Sequence, residues 1–331
     1  MSTIPVIITT IHKPTASIKS FSKINNFKVY IVGDKKSPKD GFFKKYNFFS
    51  FKEQARKFPD FHKLIRPNHY SRKNFGYLDA VKSNPEFIYE TDDDNLPYDF
   101  FPNFLYKQTK INTIKAGTFF NIYSVFTKKN IWPRGYPLSK IQEKKFSSVT
   151  SKKIFPYIQQ SLADIDPDVD AIYRLTDPSP TYFKKNTEVA LYRFTFSPFN
   201  SQNTLWHKNV FKLLYLPTSV NSRVCDIWRG YIAQRILWEL NSLVIYTSPS
   251  VYQKRNVHNL MKDFTDEIDL YLKTEKLAEL LKEIKLKGSI DEMLLKIYKV
   301  FAENELVLDY EIKSLKEWLK LLNKNIKSSV Q

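Results

Sequence analysis

Two apolar runs with room for one helix between them constrain this fold most. Ile4-Pro5-Val6-Ile7-Ile8-Thr9-Thr10-Ile11 and Phe27-Lys28-Val29-Tyr30-Ile31-Val32 have the length and β-branched content of strands buried on both faces. Parallel neighbours need a crossover of about a dozen residues or more, which the intervening segment supplies. The fold class is therefore α/β, with a mixed, mostly parallel sheet flanked by helices. Ligands of such sheets bind beyond the carboxyl ends of the strands, where Thr9 and Thr10 close the first run and Gly33-Asp34 the second. Further strands are expected at 86–90, 113–120 and 189–196, and helices at 71–82 and 222–241. Helical periodicity returns at 269–285, 290–302 and 307–323. There Gly288 marks a break and Ser289 with Glu292 forms a capping box. The chain thus divides into a main domain, 1–269, and a C-terminal helical appendage, 270–331.

The strand expected at 86–90 runs into Glu90-Thr91-Asp92-Asp93-Asp94-Asn95. Consecutive carboxylates at the end of a buried strand repel one another and lose hydration. A hard cation with oxygen ligands, Mn²⁺ or Mg²⁺, is the natural compensation, and Mg²⁺ keeps several waters and substrate phosphates in its shell. Asp92, Asp93 and Asp94 together are the candidates to hold it. About 15 residues earlier, Ser71-Arg72-Lys73-Asn74-Phe75-Gly76-Tyr77 opens a helix. Helix-start N–H groups, Arg72, Lys73 and Asn74 suit a phosphate. Together with Thr9, Thr10 and Asp34 these residues make a nucleotide site with its metal.

The net charge is +18, from 52 basic and 34 acidic residues. Residues 271–331 hold 12 Lys and 10 acidic residues, so +16 lies in the first 270. A basic surface attracts anions, yet no zinc spacing, RNP-like segment or basic zipper points to specific nucleic-acid binding. One cysteine, Cys225, leaves no intramolecular disulfide. No signal peptide or membrane span is read. A cytoplasmic protein is expected, with a peripheral place at the inner face of the membrane as an alternative.

Three later motifs carry candidate chemistry. Trp132-Pro133-Arg134 lies in a stiff aromatic loop suited to sugar or phosphate contacts. Asp164, Asp166, Asp168 and Asp170 alternate, but the Gly and terminal Glu of a calcium loop are absent. Asp170 and Arg174 are assigned to sugar hydroxyls. In Arg223-Val224-Cys225-Asp226-Ile227-Trp228-Arg229, Asp226 at a helix start is the candidate general base. Trp228 is the acceptor platform and Arg229 the partner of an anionic group. His258 is a further candidate metal ligand.

The chain resembles GT-A nucleotide-sugar glycosyltransferases, and more narrowly the STELLO-like glycosyltransferase family. The resemblance rests on Tyr89 through Asn95, Trp132 through Leu138, Val169 through Thr176, and Asp226 through Tyr231 with Gln234, Arg235 and Trp238. It covers about 260 residues and leaves out the helical tail. It implies a nucleotide half at about 1–120 and an acceptor half at about 121–269. Asp92 and Asp94 then form a D-x-D metal site, and Asp226 is the acceptor-side base of an inverting transfer. The implied partners are a nucleotide-sugar donor and a glycan or lipid-linked acceptor in surface polysaccharide synthesis. A nucleotide-sugar mutase and a non-catalytic scaffold are the alternatives. The oligomeric state is not read from the sequence.

Overall fold

A computed structural model describes residues 3–143, 146–256 and 259–328. Among these residues eleven strands form one sheet. They are β1 (Ile4–Thr9), β2 (Phe27–Val32), β3 (Asn47–Phe49), β4 (Phe87–Asp92), β5 (Asn95–Pro97), β6 (Thr109–Ala116), β7 (Phe146–Ile154), β8 (Ile158–Asp164), β9 (Glu188–Leu191), β10 (Asn203–His207) and β11 (Ile245–Gln253). The order is β3-β2-β1-β4-β10-β8-β11-β9-β6-β7, with β5 on β11. β3, β2, β1 and β4 run parallel. Beyond β4, antiparallel pairings join parallel β8–β11 and β6–β9 pairs. The sheet is the mixed α/β sheet expected.

The first βαβ unit forms as read. The crossover helix Ala16–Phe21 is capped by Thr15, whose side chain accepts from the Ile18 N–H. Val6, Ile7 and Ile8 have no exposed surface. The helix expected at 71–82 is a 3₁₀ turn, Tyr70–Arg72, leading into Lys73–Ala80. Gly76 lets this helix approach the sheet. A Cβ there would sit 2.5 Å from Val32 Cγ2 and 2.7 Å from Ile7 Cγ2. The close approach is thus to strands, not to a ligand.

Helices Ile268–Glu283, Ile290–Glu303 and Tyr310–Ser328 complete the chain. The capping box at Ser289 and Glu292 is present. These helices share the main core: Leu277, Met293 and Trp318 pack in one cluster with Phe61, Tyr77 and Tyr215. Glu311 is fully buried and accepts from the Thr218 and Ser219 N–H groups and the Tyr215 hydroxyl. The tail therefore braces the 215–222 loop. Among the described residues no helix is long and apolar enough to cross a membrane.

Candidate functional site

The carboxyl ends of β1, β2 and β4 open into a cavity of about 590 Å³. Its near wall is Thr9, Thr10, Asp34 and Arg72; its floor is Asp92, Asp93 and Asp94. The far wall is Arg134, Asp168 and Asp226, with Arg223, Gln253 and Arg255 beside them. The parallel strands thus converge where the pattern of the first 34 residues places a ligand.

The acidic run divides at Asp92. Glu90 and Thr91 lie inside β4 and are fully buried. Glu90 faces the core, where it accepts from both Arg229 nitrogens, Nη2 at 2.7 Å and Nη1 at 3.1 Å, and from Trp206 Nε1 at 2.8 Å. The Tyr77 hydroxyl also donates to it. These cationic and hydrogen-bonding partners keep its pKa low despite burial.

Asp92 ends the strand and turns to the cavity. Tyr70 OH donates to it at 2.6 Å, and Lys73 Nζ lies 3.7 Å away. Thr10 donates to Asp93 at 2.5 Å and Gln253 Nε2 to Asp94 at 2.9 Å. Burial lifts all three carboxyls, Asp92 to about 6 with Lys73 opposing. Asp94 Oδ1 is buried with no well-formed hydrogen bond. Such under-solvated, under-donated oxygens fit a hard cation. Among the described residues no three His, Cys, Asp or Glu side chains gather as a ligand set. A hard cation here would be held by Asp92 or Asp94 with water filling the rest of its shell. His258 lies outside the described residues.

Asp34 organises the near wall. It accepts from the backbone N–H groups of Asn68 at 2.8 Å and His69 at 3.0 Å. Arg72 stacks on Phe51 and Phe75, and its buried Nε has no hydrogen bond. Burial lowers its pKa to about 10, with Asp34 opposing. Arg72 and Asp34 therefore stand as the paired polar groups of this wall.

Arg134 joins two carboxylates on the far wall. Its Nε and Nη2 donate to Asp168 at 2.8 and 2.9 Å, and Nη2 also donates to Asp226 Oδ2 at 3.2 Å. Its Nη1 donates to the Arg223 carbonyl. Asp226 lies in the first turn of the Cys225–Glu239 helix and accepts from Ile227 N and Ser201 N. Burial raises Asp168, but the Arg134 charge outweighs it and holds Asp168 below the usual carboxylate range.

The structure moves several candidates away from the cavity. Lys73 is buried beneath Asp92, bonded to Tyr70 OH, the Thr91 carbonyl and the Ser201 carbonyl. It acts on the site through Asp92. Asn74 pairs both ways with the Leu216 backbone, tying helix to loop, and does not line the cavity. Trp132 donates to Asp170 at 2.5 Å, and Asp170 caps the Ala171–Thr176 helix. Arg174 holds Asp166 and the Pro167 carbonyl. Trp228 is fully buried in the core, and Arg229 neutralises Glu90. Trp132, Asp170, Arg174, Trp228 and Arg229, expected at the sugar, thus lie off the cavity lining, and all but Trp228 bond to internal partners. Asp168, Arg223 and Arg255 take their place on the wall. Asp168 stood in the alternating acidic run, and Arg223 and Arg255 flanked chosen residues; no periodic signal singled them out.

This is an α/β protein whose strand ends open into one cavity lined by both carboxylates and guanidiniums. Residues 223–327 match the family model described as STELLO glycosyltransferases. The chain is 29% identical to "Probable glycosyltransferase STELLO2" and 28% identical to "Probable glycosyltransferase STELLO1", both of Arabidopsis thaliana. Each alignment covers 95% of this chain. It covers 44% and 43% of those proteins, so the chain spans less than half their length. The chain is thus similar to STELLO glycosyltransferases over nearly its whole length. The family match continues through the helical tail, which the motif resemblance had left out.

Proposed function

We propose that this chain is a metal-dependent, inverting glycosyltransferase. It moves a sugar from a nucleotide-sugar donor to a hydroxyl of a glycan or lipid-linked acceptor, in the synthesis of a surface polysaccharide. One observation carries this reading: a single cavity sets the under-compensated Asp92-Asp93-Asp94 floor against the Arg134–Asp226 pair. A donor diphosphate would meet Mn²⁺ or Mg²⁺ at the floor, held by Asp92 or Asp94. Thr10, Asp34 and Arg72 would receive the nucleoside end. Asp226 would remove the acceptor proton. Its four bonding directions are taken by Arg134, Ser201 N and Ile227 N, so an acceptor hydroxyl must take one from Arg134. Asp168 and the Arg223 carbonyl hold Arg134 in place when it yields.

The test is thermal shift with nucleoside diphosphates and nucleotide sugars, each with Mn²⁺ or with EDTA. Stabilisation by one nucleotide class only with metal, lost in Asp92→Asn and Asp94→Asn, is expected. Equal stabilisation with EDTA would remove the metal from the reading. Product analysis by anomeric configuration checks inversion.

A further inference from the structure

Two arginine side chains on the cavity wall have no task in the proposed transfer. Arg223 and Arg255 both line the cavity beside Asp94 and Asp226. The carboxylates bonded to them, Glu267 and Asp263, do not, while Asp168 and Asp94 on the cavity side act on Arg255 through space. Glu267 is fully buried and accepts from Arg223 Nε at 2.6 Å. Asp263 accepts from Arg255 Nη2 at 3.1 Å and lies 3.8 Å from Arg223 Nη1. Both acids come from the segment at and just after the Leu260–Asp266 helix, behind the wall. The pairs therefore balance in sum but not in place: the guanidiniums meet the cavity and the carboxylates meet the protein. Arg255 Nε is buried with no hydrogen bond. Burial first, and then the Arg223 charge, lowers the Arg255 pKa. Two mutually repelling guanidiniums at an open wall are relieved by an anion between them.

This pair is separate from the near wall, where Arg72 and Asp34 stand. The Arg223 carbonyl receives Arg134, and Arg223 precedes Asp226 by three residues. The site therefore lies on the side of the proposed acceptor base.

We infer that Arg223 and Arg255 form an oxyanion subsite on the acceptor side, so the acceptor carries a phosphate or carboxylate group near its reacting hydroxyl. This rests on the glycosyltransferase reading for the word acceptor, but the anion site stands on its own geometry.

Arg255→Gln is the test variant, because Arg223→Gln would strand the buried Glu267. Arg255→Lys keeps the charge and controls for packing. Inorganic phosphate is titrated by thermal shift at constant ionic strength, with chloride as the control salt. One series is free; the other is saturated with a nucleoside diphosphate and Mg²⁺. Phosphate should stabilise the nucleotide-saturated wild type. Its affinity should fall about tenfold in Arg255→Gln, the loss of one charge-assisted contact, and largely survive in Arg255→Lys. Nucleotide affinity should not change. Loss of nucleotide affinity in Arg255→Gln would overturn the proposal, since the pair would then serve the donor diphosphate. Equal phosphate binding in wild type and Arg255→Gln would overturn it too. If no nucleotide binds but phosphate binds through Arg255, the subsite stands and the glycosyltransferase reading falls.

Discussion

Arg134 holds Asp226 and Asp168 at once, its Nη2 lying 3.2 Å from Asp226 Oδ2 and 2.9 Å from Asp168 Oδ2. The three groups are almost wholly buried, so each charge depends on the others. Removing the cation leaves two carboxylates without their partner in a low-dielectric wall. Arg134→Met should therefore cost roughly 3–5 kcal/mol of folding stability, measured by urea denaturation. Arg134→Lys keeps the charge but not the fork that engages both acids, and should fall between. A change below about 1 kcal/mol in Arg134→Met would mean the pair is solvated, not buried.

Asp226 and Asp168 share this arginine, yet only one is proposed as the base. Asp226→Asn should lower turnover by about 10²–10⁴-fold, the range for loss of a general base, with nucleotide affinity retained. Asp168→Asn should weaken the anchoring of Arg134 and act mainly on stability. Equal turnover losses in the two variants would move the base role away from Asp226. The measurement is kcat with each variant, next to nucleotide binding by thermal shift.

The start of the parallel half was legible because β1 and β2 are mostly apolar. β1 and β2 read directly, and the acidic run across the end of β4 marked the cavity floor. The other half hid because its strands carry polar side chains inward. β8 is Ile158-Gln-Gln-Ser-Leu-Ala-Asp and is buried along its length. Gln159 clamps the Leu105 backbone from both sides, and Gln160 accepts from Asn200 N and Thr204. Local periodicity cannot announce a buried polar strand whose partners lie tens of residues away. The same holds for arginines. Arg134 and Arg229 look alike in sequence, but Glu90 claims Arg229 for the core while Asp226 and Asp168 fix Arg134 at the cavity.

Glu311 connects the tail to this cavity. It holds the Thr218–Ser219 backbone, and the same loop carries the Val220 carbonyl, bonded to His69 Nε2 at 2.8 Å, and Ser222, whose hydroxyl accepts from Tyr70 N. Tyr70 in turn donates to Asp92. Glu311→Ala leaves buried N–H groups without an acceptor and should cost about 2–4 kcal/mol. Because the loop leads to Tyr70 and Asp92, it should also weaken metal-dependent nucleotide binding at a temperature where the variant stays folded. Unchanged nucleotide affinity in the folded variant would confine the tail to a stabilising role.

His69 gives the site a distinct acid response. Its ring is buried, with Nδ1 accepting from Ser71 N and Nε2 facing the Val220 carbonyl, which fixes a neutral ring protonated at Nε2. Burial lowers its pKa to about 4, with the Val220 carbonyl opposing. The unfolded chain binds this proton near pH 6.5 and the folded chain does not, so the unfolded state holds more protons between those values. Stability from this group is therefore intact above about pH 6.5 and declines as pH falls toward 4. The loss from pH 7.5 to pH 5 is about 2 kcal/mol. Asp92 and Asp170, raised to about 6 chiefly by burial, act in the opposite sense, so the wild-type profile alone is a sum. His69→Gln isolates the term, since its amide can donate to Val220 without titrating. The variant should be less stable than wild type at pH 7.5, and that difference should shrink by about 2 kcal/mol at pH 5. Urea denaturation of both proteins at the two pH values decides it: a difference that stays constant would place His69 in contact with water.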